Sequence, residues 1–294
     1  MKIDVDCPEC LVHRGLMEIS KFTGDRERRI RASAAVLKVI AENLQPNAVP
    51  GAIGTMREVV IRRETGNPDL YTTDKQISNM QALRLIPKLE EKIANVNDGF
   101  ERFKLAVRFS TIGNIIEFDI LGYNAKLDEL DSQFKGVRFG IDDCDEAFRL
   151  ANLTKRVLLL TDNAGEIAFD KLLVRELRQV GLSVTVAVKS APIMNDATLD
   201  DAVQVGLDRD ADRVITTGGA CVGLLFAGTS PEFRQALGES DLIIAKGMGH
   251  YETMTERDWT QPVLHLLVAK CRPVAASLGI EKGQGAIYLR RPKL

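Results

Sequence analysis

Apolar positions along this chain change their period near its middle. From about Pro8 to about Arg149 they recur three and four residues apart. LVHRGLMEISKF (11–22), RERRIRASAAVLKVIAENL (26–44) and DKQISNMQALRLIPKLEEKIANV (74–96) show this best, so the first half reads as amphipathic helices. Asp25 is placed to cap the second, and Thr72, Thr73 or Asp74 to start the third. Pro87 should kink or split that third helix, while Pro50-Gly51 and Asn67-Pro68-Asp69 mark turns. After Lys155 the pattern becomes short apolar runs: RVLLLTD (156–162), SVTVAVK (183–189), RVITTG (213–218), DLIIAKG (241–247), HLLVAK (265–270) and AIYLR (286–290). Helical stretches separate the first four, which predicts parallel strands joined by crossover helices. The expected fold class is α/β with an all-α N-terminal domain (1–150) followed by a Rossmann-like α/β/α domain (151–294) with a mostly parallel sheet. No internal repeat is visible.

Composition narrows the classes of function. Hydrophobic residues make up 45% and charged residues 27% of 294, an ordinary globular balance with enough chain for two domains. A net charge of −2 offers no basic field for nucleic acid. No apolar run is long enough to span a bilayer, and MKIDVDCPEC lacks a signal-peptide core, so no membrane partner and a cytoplasmic location are expected. Five cysteines in a chain this long argue against a secreted disulfide framework.

Polar residues gather at the C-terminal ends of the predicted strands, where open parallel sheets bind ligands: Asp162, Lys189, Thr216-Thr217 and Lys246. Asp162 and Asn163 are hard oxygen donors, and Gly165 frees the backbone for a tight strand-to-helix turn. Glu166 and Asp170 share one face of the following helix near its positive end, a common place for acids. An ordinary turn accounts for Asp162-Asn163 equally well on spacing alone. Asn195-Asp196 lies one crossover later, which puts Asp196 on a neighbouring strand end; it also suits a helix cap. Together these residues suit an Mg²⁺-like ion that contacts a substrate phosphate. TTGGACVGLLFAGTS (216–230) could cradle phosphate through backbone N–H groups around Gly228, with hydroxyls from Thr229 and Ser230, although it matches neither a P-loop nor a dinucleotide fingerprint. Lys246 either neutralises phosphate or is a solvated strand-end cation. RFSTIGNIIEFDIL (108–121) reads first as a helix start capped by Ser110 or Asn114. Cys7 and Cys10, with His13 three residues on, form half of a zinc site, a redox pair or a structural pair; only Cys144, Cys221, Cys271, His250 and His265 could complete a metal set.

STIGNIIEFD, DNAGEIAFD, KSAPIMNDAT and AKGMGHYETM, in that order, resemble the metal-dependent damage-control phosphatases, ARMT-like proteins long catalogued as a domain of unknown function. The likeness spans nearly the whole chain and includes the Cys-x-x-Cys of a prokaryotic and archaeal subgroup. It implies a hydrolase of small phosphorylated metabolites that uses a divalent ion (Mg, Mn, Co or Ni) held by Asp162, Asn163 and Asp196. It further implies phosphate contact by Lys246 and a pocket segment containing Gly113, Asn114 and Asp119, with Ser110 beside it.

The expected chemistry is hydrolysis of a phosphomonoester by a metal-activated water, with Lys246 and the backbone around Gly228–Ser230 balancing charge and Glu166 or Asp119 as base. An aspartyl-phosphate mechanism at Asp162 lacks its acid, because the position two residues on is Ala164. A phosphometabolite sensor without turnover would use the same loops. A carboxyl methyltransferase is disfavoured, since no glycine-rich nucleotide loop follows the first strand. Substrate identity and oligomeric state stay open.

Overall fold

The computed structural model describes residues 1–114 and 136–292. Helices α1 (Cys7–Phe22), α2 (Arg26–Asn43) and α3 (Pro50–Thr65) pack around Leu11, Ile19, Val36, Ile40, Ile53 and Ile61. Asp25 caps α2 as expected, accepting the Arg28 N–H at 3.0 Å. Pro50-Gly51 is not a turn: it opens α3, where a proline loses no hydrogen bond that the helix would otherwise make. The third predicted helix is divided into α4 (Thr72–Leu83) and α5 (Ile86–Ala94), with Pro87 in the first turn of α5. Helix α6 (Gly99–Gly113) starts at Asp98, which accepts the Glu101 N–H, so Ser110 lies in its last turns and Asn114 follows it. The Ser110–Asn114 stretch therefore ends a helix rather than starting one.

Among the described residues seven strands form one sheet in the order β1-β7-β6-β5-β2-β3-β4, parallel except where β7 (Gly285–Arg290) runs against β6 (Val263–Val268). The others are β1 (Phe139–Asp142), β2 (Arg156–Leu160), β3 (Ser183–Val188), β4 (Arg213–Thr216) and β5 (Leu242–Lys246). Six match the apolar runs. β1 was not foreseen, because it has four residues and no continuous apolar run. It pairs with β7 at Phe139↔Gly285, where a side chain on Gly285 would meet the Phe139 ring at 2.8 Å.

The strand period of two sorts the core onto both faces. Val157, Leu159, Val186 and Ile244 face α6, α7 (Cys144–Ala151) and α8 (Glu166–Gln179); Leu158, Leu160, Ile243 and Ala245 face Phe233 and Leu237 of α11 (Pro231–Glu239). Helix α8 buries Ile167, Phe169, Leu172, Leu173 and Leu177, each worth about 1.5–3 kcal/mol of transfer free energy. Gly113 lets α6 approach it: a methyl there would lie 3.0 Å from the Phe169 ring. Two short helices, α9 (Leu199–Val205) and α10 (Leu207–Asp210), lead to β4, and α12 (Gly247–Met254) and α13 (Arg272–Leu278) follow β5 and β6. Among the described residues no helix is long and apolar enough to cross a membrane.

Candidate active site

The chain runs outwards from β2 through β3 to β4, then returns to β5 on the other side of β2. A crevice opens beyond the carboxyl ends of β2 and β5, at this change of direction. Asp162 follows β2, and Gly247 follows β5. Gly247 has φ +76°, and any Cβ on it would collide with the Asp162 carboxylate. Gly165, at φ 77°, makes the turn into α8, and its N–H donates to Asn79 Oδ1 of α4 at 2.6 Å. Asn79 is fixed in turn by Asp201 at 2.9 Å, so a helix of the first half holds the strand-end loop in place.

Backbone pairing brings Asp196 to the same place. Ala164 N–H donates to Asn195 O at 2.9 Å and Ala197 N–H to Asp162 O at 2.8 Å, making a single antiparallel bridge between Asn163 and Asp196. Met194 holds φ 47°, unusual for a residue with a side chain, just before Asn195-Asp196. The cap of α9 is Thr198, in a reciprocal arrangement with Asp201, which leaves Asp196 free of capping.

Asn114 donates through Nδ2 to Asp162 Oδ2 and to Glu166 Oε2, both at 2.8 Å. Asn163 Nδ2 reaches the same two oxygens at 2.9 and 3.1 Å. Below them lies a buried ionic layer. Lys246 Nζ donates to Glu166 Oε1 at 2.7 Å, Asp170 Oδ1 at 2.5 Å and Ser110 O at 2.9 Å, and Ser110 Oγ donates to Asp170 Oδ1 at 2.6 Å. Burial alone would lower the Lys246 pKa, but the charges of Asp170 and Glu166 outweigh it and raise it.

The acids above this layer are short of positive charge. Burial, then the neighbouring charges of Glu166 and Asp196, push the Asp162 carboxyl well above the ordinary range. Burial pushes Asp196 up to about 6 although Lys189 lies 3.5 Å away. Buried Asp196 Oδ2 and Asn114 Oδ1 have no hydrogen-bond partner among the described residues. Hard oxygens, crowded negative charge and unsatisfied acceptors fit a divalent cation of the Mg²⁺ or Mn²⁺ type. The donor set is two carboxylates and an amide; no group of three or more His, Cys, Asp or Glu among the described residues could hold a metal.

These groups line a cavity of about 710 Å³ that α1 closes from the other side with Cys10, His13, Arg14 and Glu18. Tyr71, Glu252 and Lys270 complete much of its wall. Glu18 accepts from Tyr71 Oη at 3.0 Å and Arg14 Nε at 3.2 Å, and Arg57 beside it pairs with Glu58 at 2.9 Å.

The expected site residues divide. Asp162, Asn163, Glu166, Asp196 and Asn114 come together on the cavity. Lys246 is not among the lining residues: it is fully buried and paired with Glu166 and Asp170. Gly228, Thr229 and Ser230 also lie outside the lining, because Thr229 Oγ1 donates to Phe226 O and Ser230 Oγ accepts the Phe233 N–H to cap α11. Asp119 lies outside the described residues. Cys7 is buried, Cys10 is exposed at the cavity, and all five cysteines are free thiols; among the described residues no further side chain completes a zinc set with the pair. Arg14, Glu18, Tyr71, Asn79, Glu252 and Lys270 were not foreseen. Arg14 and Glu18 carry a faint signal as an i, i+4 pair just after Cys-x-x-Cys.

Residues 3–285 match the family model of the damage-control phosphatase ARMT1-like domain. A damage-control phosphatase of Archaeoglobus fulgidus is 33% identical over 285 residues, 96% of this chain and 97% of that one. Damage-control phosphatase PH1575 of Pyrococcus horikoshii is 32% identical over 284 residues, 96% of each chain. The uncharacterized protein MJ0202 of Methanocaldococcus jannaschii is 32% identical over 295 residues, 99% of this chain and 96% of that one. The crystal structure of PH1575, described as a DUF89 family protein, superposes with a TM-score of 0.89 at 31% identity and covers 100% of both chains. With one family model along nearly its whole length and full-length relatives above 30% identity, this chain belongs to the damage-control phosphatase ARMT1-like family.

Proposed function

We propose that this protein is a divalent-metal-dependent phosphatase that hydrolyses phosphomonoesters of small metabolites. One observation carries the reading: Asp162, Asn163 and Asp196 converge on a roomy cavity where acids are crowded, desolvated and incompletely hydrogen-bonded. The relatives named damage-control phosphatases support the same reaction class.

Asp162 and Asp196 would hold the ion through carboxylate oxygens and Asn163 through its amide oxygen. When bound, Mg²⁺, Mn²⁺, Co²⁺ or Ni²⁺ supplies charge neutralisation at the phosphoryl group and activation of water. Asn114 orients Asp162 by donating to it. Glu166, already accepting from Lys246, Asn114 and Asn163, is a positioning residue rather than a base. Lys246 holds Glu166 and Asp170 in place through its hydrogen bonds to both. Arg14 and Lys270, on the cavity wall, take the phosphate-binding role the sequence suggested for Lys246. Helix α1 forms one wall of the cavity.

Hydrolysis of p-nitrophenyl phosphate after EDTA treatment, then with each of the four metals restored, tests this proposal. Activity should vanish with chelation and return with at least one metal. Activity indifferent to EDTA contradicts the metal role, and binding of phosphometabolites without turnover under every metal makes the protein a sensor.

A further inference from the structure

The carboxylates around this cavity differ in how they are engaged. Glu166 is held by Lys246, Asn114 and Asn163, and Glu18 by Tyr71, Arg14 and Arg57. Glu252 lines the same cavity, and its carboxylate accepts from the Gly51 amide at the start of α3. It sits on α12, whose first residue, Gly247, lies against the Asp162 carboxylate. Five residues on, Glu252 is about 7.5 Å further along that helix at 1.5 Å per residue. Glu252 and the Asp162–Asp196 pair thus line one cavity, with α12 leading from the Asp162 carboxylate to Glu252.

On the phosphatase reading above, we propose that Glu252 is the general acid that protonates the departing alkoxide. The P–O ester bond breaks, and the leaving oxygen keeps the bonding pair, takes the Glu252 proton and departs as an alcohol. The incoming water forms the new P–O bond; its protons stay on the phosphate product or pass to solvent, from which Glu252 is reprotonated.

The environment of Glu252 suits that task. Burial pushes its carboxyl up to about 7, with the amino group of Met1, the Gly51 amide and Arg14 acting in the opposite direction. The thiols of Cys7 and Cys271 also face it electrostatically, and Lys270 shares the cavity wall. A carboxyl poised there is protonated in a useful fraction of molecules at neutral pH and is lost as an acid above it.

The test compares Glu252→Gln with the unaltered, metal-loaded protein on p-nitrophenyl phosphate and phenyl phosphate. p-Nitrophenolate leaves without a proton, whereas phenolate leaves poorly without one. Glu252→Gln should lose about 100-fold in kcat on phenyl phosphate, the scale of a lost general acid, and only a few-fold on p-nitrophenyl phosphate. The alkaline fall in kcat on phenyl phosphate should disappear as well, and Glu252→Asp should restore part of the rate. Equal losses on both substrates, or none on either, overturn the role of Glu252. An unaltered protein inactive on both under every metal contradicts the phosphatase reading itself.

Discussion

Gly247 lies so close beneath the carboxylate of Asp162 that a single added methyl group would occupy the space of Oδ2. The glycine that follows β5 thus sets the position of the acid that follows β2. Gly247→Ala should displace Asp162, weaken Mn²⁺ binding measured by calorimetry at least tenfold, and reduce kcat/KM by about 100-fold, the penalty for misplacing reacting groups by about 1 Å. The left-handed φ adds about 1–3 kcal/mol of destabilisation, read from urea unfolding. Unchanged metal affinity would contradict the contact's role.

Lys246 tests whether the buried cation serves structure or substrate. Removing it in Lys246→Met leaves Glu166 and Asp170 buried together, at a cost of about 3–5 kcal/mol as for other broken buried ion pairs. Adding Asp170→Asn should recover part of that stability. A Lys246→Met protein as stable as the original but with a raised KM would restore Lys246 as a phosphate ligand.

Arg14 is expected to bind the anion from the α1 side. Arg14→Gln should raise KM by about 10–100-fold, corresponding to the 1.5–3 kcal/mol typical of a charged hydrogen bond, and change kcat less. Steady-state kinetics decide; an unchanged KM removes Arg14 from substrate recognition.

Glu58 gives a pH dependence of stability whose sign is fixed. Burial and the shared hydrogen bond with Glu18 push Glu58 up to about 8 from its ordinary 4.5. Between those values the folded chain holds a proton that the unfolded chain has released, so this contribution makes stability fall as pH rises from about 4.5 to about 8. Glu18 contributes oppositely: burial raises it, but Glu58, Arg57, Arg14 and Tyr71 lower it further, and that stability is lost on acidification below about 4.5. Glu58→Gln should flatten the decline in Tm between pH 5.5 and 8. A slope equal to that of the unaltered protein would place the titration elsewhere.

Much of this was legible in the chain. Short continuous apolar runs located six of the seven strands among the described residues, because strands buried on both faces are apolar along their length. The Asp162-Asn163 turn with Gly165, and Asp196 one crossover later, follow from strand adjacency. Lys246 was located but its surroundings were not, because nothing local in AKGMG says that Ser110, Glu166 and Asp170 arrive beneath it. Thr229-Ser230 resembled a phosphate cradle because hydroxyls that cap a helix and hydroxyls that bind anions share the same local pattern. Arg14, Tyr71 and Glu252 come from three separate helical or loop segments that only tertiary packing brings together.

The central claim is that Asp162, Asn163 and Asp196 hold a divalent cation. Crystals soaked in Mn²⁺ and measured at a wavelength where manganese scatters anomalously test it most directly. The account predicts one strong peak within coordination distance of Asp162, Asn163 and Asp196, and its loss in Asp162→Ala. A peak at Cys7 and Cys10 instead, or no peak at millimolar Mn²⁺, would contradict it.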